Sequence, residues 1–223
     1  MRRGPLAALA ILACGAPALA AVDTNAKATS TPQIVLPRDG DDYSALVARA
    51  AAQDQSVDFK ALRFAYLKSK ARKAAGADAD ALRQTLFSAV EAGDHGRVRE
   101  AAIKLLSADY IDMWGHKYLH EACFMLHDEA CDKQGKFVEF GLLRSILATG
   151  TGKECTAGFE VVSVAEEYFM LSMVDAKDIR QSLISGTPSC DLMEFTDQDG
   201  KPKSYYFRID AVLADEAEGL GIK

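Results

Sequence analysis

Residues 141–168, GLLRSILATGTGKECTAGFEVVSVAEEY, mark the place where this chain changes character. Upstream, apolar residues recur at helical spacing; downstream, short β-branched runs take over. The stretch itself predicts a helix through Ala148, a turn through Gly150 and Gly152, and entry into a strand at Val161, Val162 and Val164. Any site assembled from both halves must lie near this joint.

Toward the amino terminus, 41–53 reads as a first helix and Asp58 as the cap of a second, with Val57 and Leu62 at hydrophobic-staple spacing. Phe59, Leu62 and Tyr66 share one face of that second helix. Arg63 lies beside the face, where its stem packs and its head seeks a carboxylate. The small, polar segment KSKARKAAGADAD (68–80) reads as a loop or a weak helix end. Four helical segments follow, at 81–93, 96–108, 109–126 and 135–148, with breaks at Gly93-Asp94-His95-Gly96 and Asp132-Lys133-Gln134-Gly135. Helices joined by breaks this short form antiparallel hairpins. Their spacing falls in the range of tetratricopeptide-type repeats, although no repeat signature is matched, so the hairpins are only repeat-like.

Toward the carboxyl terminus, FEVVSV (159–164) and EEYFML (166–171) read as two strands or as a strand and a short helix, and IRQSLI (179–184) is ambiguous. DLMEFTD (191–197) and KSYYFRID (203–210) flank an Asp-Gly turn and predict a hairpin. Strands gathered after helices give an α+β fold: N-terminal antiparallel helical hairpins (42–149) packed on a small C-terminal antiparallel β-sheet (157–210), as one domain over 42–210. Residues 211–223 read as an acidic tail.

The first residues belong to another category. Arg2 and Arg3, the apolar run 6–13 and the Ala18-Leu19-Ala20 site predict a secretory signal over 1–20, followed by a flexible tether over 21–41. An alternative reading lipidates Cys14 and anchors the chain in the envelope. No later run is long enough to span a bilayer. Without the signal, 24 basic residues face 32 acidic ones, a net charge of −8 that disfavours nucleic acid as a partner. The expected location is periplasmic or secreted.

Four cysteines then remain, and an even number in an exported chain favours disulfides. Of three pairings, Cys123–Cys131 and Cys155–Cys190 are expected; buried free thiols are the alternative. Eight residues of unbroken helix would hold Cys123 and Cys131 roughly 12 Å apart, beyond the roughly 7 Å limit. The helix must therefore break within 128–135.

Few residues point to chemistry. His116 and His120 are i, i+4 on one helix face and are weak metal candidates, but the order HKYLHE is not the zinc-protease HExxH. The same face carries core-type residues, which favours packed histidines. The Gly150-Thr151-Gly152-Lys153 run lacks the remaining positions of a phosphate loop. Glu166 and Glu167 diverge as neighbours and form no dyad, although one of them could pair with Arg63 or Arg144. No nucleophile elbow occurs. No cofactor is expected.

VDFKALRFAYLKSK, GLLRSILATGTG, FEVVSVAEEYFML, QSLI, DLMEF and YYFRID, taken in order, resemble an exported bacterial family known as a domain of unknown function (DUF4919-like). The likeness spans about 58–208. It implies an envelope or secreted location and supplies no catalytic or binding residue. The cysteines stand outside the pattern, so the crosslinks look like a local addition. The resulting expectation is a non-catalytic module that binds an envelope protein or peptide. The alternative is an envelope hydrolase with its site at the joint, where His120, Glu121, Arg63 and Glu167 would be tested first. Metal binding ranks below both.

Overall fold

A computed structural model describes residues 33–75 and 78–221. The expected signal and Cys14, and residues 21–32 of the expected tether, lie outside the described residues. Aspartate starts five of the helices. Asp41, Asp58, Asp94, Asp112 and Asp128 each accept the backbone N–H three residues on, and so cap α1 (Asp42–Ala51), α2 (Phe59–Leu67), α5 (His95–Ala108), α6 (Met113–Met125) and α7 (Glu129–Leu147). Each such cap is worth about 1 kcal/mol, and the negative charge suits the helix N-terminus. Helix α3 (Lys70–Ala75) and the first turn of α4 (Asp78–Glu91) stand where only a loop or weak helix end was expected between residues 68 and 80; the rest of α4 follows the helix expected from residue 81.

Tight turns join α4 to α5, α5 to α6 and α6 to α7 as successive hairpins. The last break lies earlier than the sequence suggests. Asp128 caps α7 at Cys131, and His127 takes a positive φ of 59° in the turn. Residues 132–135 are consequently helical. Gly135 breaks nothing; it marks where α6 and α7 touch, since a Cβ there would meet His120 Cβ at 2.7 Å. The turn brings Cys123 and Cys131 to a Cα–Cα distance of 5.8 Å, and they are disulfide-bonded.

After α7, the chain turns through Gly150 and Gly152 into a 3-10 turn (Cys155–Ala157) and a short strand β1 (Phe159–Glu160). EEYFML then forms helix α8 (Val164–Ser172), because Ser163-Val164-Ala165-Glu166 starts a helix: Ser163 Oγ accepts the Glu166 N–H. Strands β2 (Lys177–Ile184), β3 (Cys190–Thr196) and β4 (Pro202–Arg208) complete a four-stranded sheet in the order β1-β4-β3-β2. The β3–β4 hairpin turns at Gly200 with φ 74°, as the Asp-Gly signal predicted.

The sheet is mixed rather than purely antiparallel. β1 runs parallel to β4, with Phe159 opposite Phe207. A register shift between Lys177 and Arg180 interrupts β2, the outer strand, which is largely exposed. A second disulfide, Cys155–Cys190, ties the 3-10 turn to the start of β3. Residues 210–219 form helix α9 (Asp210–Gly219) instead of a tail. Val212 packs against the core, and Arg72–Asp215 at 2.8 Å holds this helix to α3.

Helices and sheet share one hydrophobic core. Leu62, Tyr66, Leu142, Ile146, Phe169, Met193 and Phe207 meet in it, while α4, α5 and α6 build a second cluster around Leu86, Leu105 and Leu106. The fold is α+β, with nine helices among the described residues, most of them before the sheet. No described helix is long and apolar enough to cross a membrane.

At Gly141 the ring of Phe59 occupies the place a Cβ would take, so α2 and α7 cross without room for a methyl group. Gly141→Ala should destabilise the protein in urea unfolding even though alanine favours helix. Paired with Phe59→Ala, the same change should become stabilising by up to about 1 kcal/mol. A stabilising Gly141→Ala in the otherwise native chain would contradict this packing.

Candidate functional site

The joint is fastened by a buried ion pair. Arg63 on α2 is 0 % exposed and Glu166 on α8 is 3 % exposed. Arg63 Nε donates to Glu166 Oε1 and Nη2 to Oε2, both at 2.7 Å, in a two-pronged contact. Nη2 also donates to the Glu160 carbonyl of β1, and Nη1 reaches Ser145 Oγ on α7 at 3.3 Å. Glu166 Oε2 accepts the Val162 N–H at 2.8 Å. Every charged atom is thus occupied, as burial of a pair requires.

Glu167, the next residue, is 0 % exposed and faces another way, toward Asp191 on β3. Neither of its oxygens closes a well-aligned hydrogen bond. Burial, and then the negative charge of Asp191, push the Glu167 carboxyl up to about 9, so it keeps its proton near neutrality. Asp191 in turn accepts Gln181 Nε2 at 2.6 Å.

A cleft of about 860 Å³ opens beside this joint, between α4, α6, α8 and α9. Phe87, Trp114 and Tyr118 form one wall as a contacting trio: Phe87 and Trp114 meet edge to face with centroids 5.3 Å apart, and Trp114 stacks on Tyr118 at 5.9 Å. Tyr168 and the α8 cap Ser163 line the α8 side. At the α5–α6 turn, Asp112 caps α6 through Oδ1 and takes both Nε and Nη2 of Arg83 on Oδ2, at 2.8 and 2.7 Å.

Asp109 sits beside this pair. Burial, and then the charge of Asp112, raise its carboxyl to about 7; Arg83, the Ile111 N–H and the Tyr66 hydroxyl pull the other way. No serine, threonine or histidine side chain donates to Asp109, Asp112 or Glu166 among the described residues.

The four residues singled out from the sequence do not converge. Arg63 and Glu167 lie buried at the joint with different partners. His120 lies against α7, with Nε2 2.8 Å from Glu139 Oε2 and Nδ1 3.4 Å from Asp132 Oδ1, close contacts that are not aligned as hydrogen bonds. Glu121 is paired with Lys117. His116 is fully enclosed. Its Nε2 lies 2.7 Å from the Tyr110 carbonyl, which makes Nε2 the donor, and burial lowers its pKa to about 4. The two histidines therefore serve different partners, His116 the Tyr110 carbonyl and His120 the carboxylates of α7. The one close grouping of ligand-type atoms among the described residues, Cys123, Asp128 and Cys131, is a disulfide beside a helix cap.

A second, shallower concavity of about 430 Å³ runs over α4–α6, where Phe124 (64 % exposed) and Met125 are uncovered. Asp109, Arg83 and the aromatic wall escaped the sequence reading. Their only trace was two aspartates three apart at the start of the 109–126 segment, downstream of an arginine in an amphipathic helix.

The family described as "Domain of unknown function (DUF4919)" matches residues 40–218, from just before the α1 cap into the last turn of α9, and the chain belongs to that family. Searches of curated proteins and of solved structures matched nothing.

Two outcomes follow from the buried charges. Arg63→Met leaves Glu166 uncompensated and should cost about 3–5 kcal/mol in denaturant unfolding, while Arg63→Met with Glu166→Leu recovers most of it. Glu167 has a folded pKa of about 9 against the usual 4.5. Between those values the folded state holds a proton that the unfolded chain has released, so stability falls as pH rises through the window. Glu167→Gln should flatten that fall, about 1 kcal/mol per pH unit, in urea midpoints taken between about pH 6 and pH 9. An unchanged slope would remove Glu167 as its source.

Proposed function

We propose that this protein is a non-catalytic binding module of the bacterial envelope, exported, that takes an extended peptide or protein segment into the cleft between α4, α6, α8 and α9. The observation carrying the reading is the cleft itself: its volume suits several side chains, and aromatic rings wall it. Most of its charged groups are already spent on one another. Asp112 caps a helix and holds Arg83, and Glu166 holds Arg63, so these groups are engaged in structural pairs, which supports a binding role. The two disulfides suit an oxidising compartment and support the export reading.

A photo-crosslinking side chain placed at Tyr168 should capture a defined partner in intact host cells. The same group at Lys201, in the β-hairpin turn, should not. Equal capture at both positions would discard the cleft as the binding surface.

One observation favours hydrolysis as the second reading. Asp109, raised to about 7, is a carboxyl poised for proton transfer at the edge of the same cleft. Turnover of cell-wall fragments by the purified protein, abolished in Asp109→Asn while its unfolding midpoint holds, would replace binding with catalysis.

A further inference from the structure

Charge and aromatic surface coincide in the cleft, and together they specify what kind of side chain it takes. Seven carboxylates and two guanidinium groups line it. Arg83 neutralises Asp112, Arg72 neutralises Asp215 and the buried Arg63 neutralises Glu166. Glu91 and Glu216, both exposed at the cleft, take part in no ion pair among the described residues. Asp109 is 9 % exposed, lines the cleft and also has no ion-pair partner among the described residues. A surplus of negative charge thus faces a wall of three rings in mutual contact, Phe87, Trp114 and Tyr118, with Tyr168 also lining the cleft.

This pairing is selective. An anionic ligand would meet uncompensated carboxylates. A neutral apolar side chain would cover the rings but strip water from Glu91 and Glu216 with no return. A cation satisfies both, since ring faces carry negative quadrupole density and unpaired carboxylates attract the same charge at longer range. We infer that the cleft recognises the lysine or arginine side chains of a basic peptide segment, held against the Phe87–Trp114–Tyr118 wall with Glu91 and Glu216 steering the approach. This deepens the peptide-binding reading above and rests on it.

Trp114 is the single tryptophan of the chain, so its emission reports on the cleft directly. The full protein is titrated with an acetylated, amidated octapeptide alternating lysine and alanine, and separately with its glutamine–alanine counterpart. The lysine peptide should change Trp114 emission saturably, and added salt should weaken the effect. Glu91→Gln with Glu216→Gln, two exposed changes, should weaken binding about tenfold. Phe87→Leu should weaken it further.

Equal responses to the two peptides would overturn the cation specificity and leave peptide binding standing. Tight lysine-peptide binding that ignores the Glu91 and Glu216 changes and Phe87→Leu would place the cation elsewhere and overturn the assignment. Silence toward both peptides would overturn the inference together with the peptide reading.

Discussion

The contact between Arg63 and Glu166 is the constraint from which the rest of the arrangement follows. It joins α2 to α8 and, through the Glu160 carbonyl and Ser145, also draws in β1 and α7. A guanidinium and a carboxylate enclosed at 0 % and 3 % exposure tolerate one alignment only, because any slip leaves a charge without a partner. Apolar side chains of similar size would pack in several registers. The pair therefore acts less as a source of net stability than as a selector: it decides where the chain downstream of the joint must sit against the helices.

Placement of α8 has two consequences, one on each side. Glu167, locked in the interior, must hold its proton beside Asp191, so the helix meets the sheet through a neutral carboxyl. Tyr168, one position further, is turned outward and helps line the cleft. On the opposite wall, Arg83 and Asp112 fix α4 to the start of α6, which brings the Phe87, Trp114 and Tyr118 rings together. The cleft is thus bordered by three ion pairs: Arg63–Glu166 at the joint, Arg83–Asp112 between α4 and the start of α6, and Arg72–Asp215 between α3 and α9. Its shape is a by-product of charge pairing rather than of loop conformation.

Much of this was legible from residue order. Asp58 announced its helix by cap and staple, and the Asp-Gly turn between DLMEFTD and KSYYFRID announced the hairpin. Arg63, beside an apolar face, was already in search of a carboxylate. Other features were hidden because a single local signal has two physical meanings. Gly135 was read as a helix break, yet it lies inside α7, where its missing side chain lets α6 come close. Only the neighbouring helix distinguishes the two uses.

The segment after Ile209 looked like an acidic tail because its apolar residues are few. Its order as α9 depends on Val212 reaching the core and on Arg72 and Lys73 of α3, well over a hundred positions earlier in the chain. The cleft was invisible for a related reason. Asp109 and Asp112 fall inside a segment that reads as continuous helix, and nothing local reveals that Asp112 holds an arginine from α4 with Asp109 buried beside the pair. The β1–β4 pairing was equally remote, since a two-residue strand leaves almost no periodicity.

The outer strand β2 carries a last consequence. A sheet margin with unpaired amide and carbonyl groups invites copies of the same protein to zip together into fibres. Here the Lys177–Arg180 irregularity interrupts the ladder, and Lys177, Arg180 and Gln181 lie exposed along the strand. Neighbouring molecules would have to bring like charges into contact across a distorted margin. The first half of the rim, over residues 177–181, is thereby blunted against edge-to-edge pairing, whereas Leu183 and Ile184 leave its far end apolar.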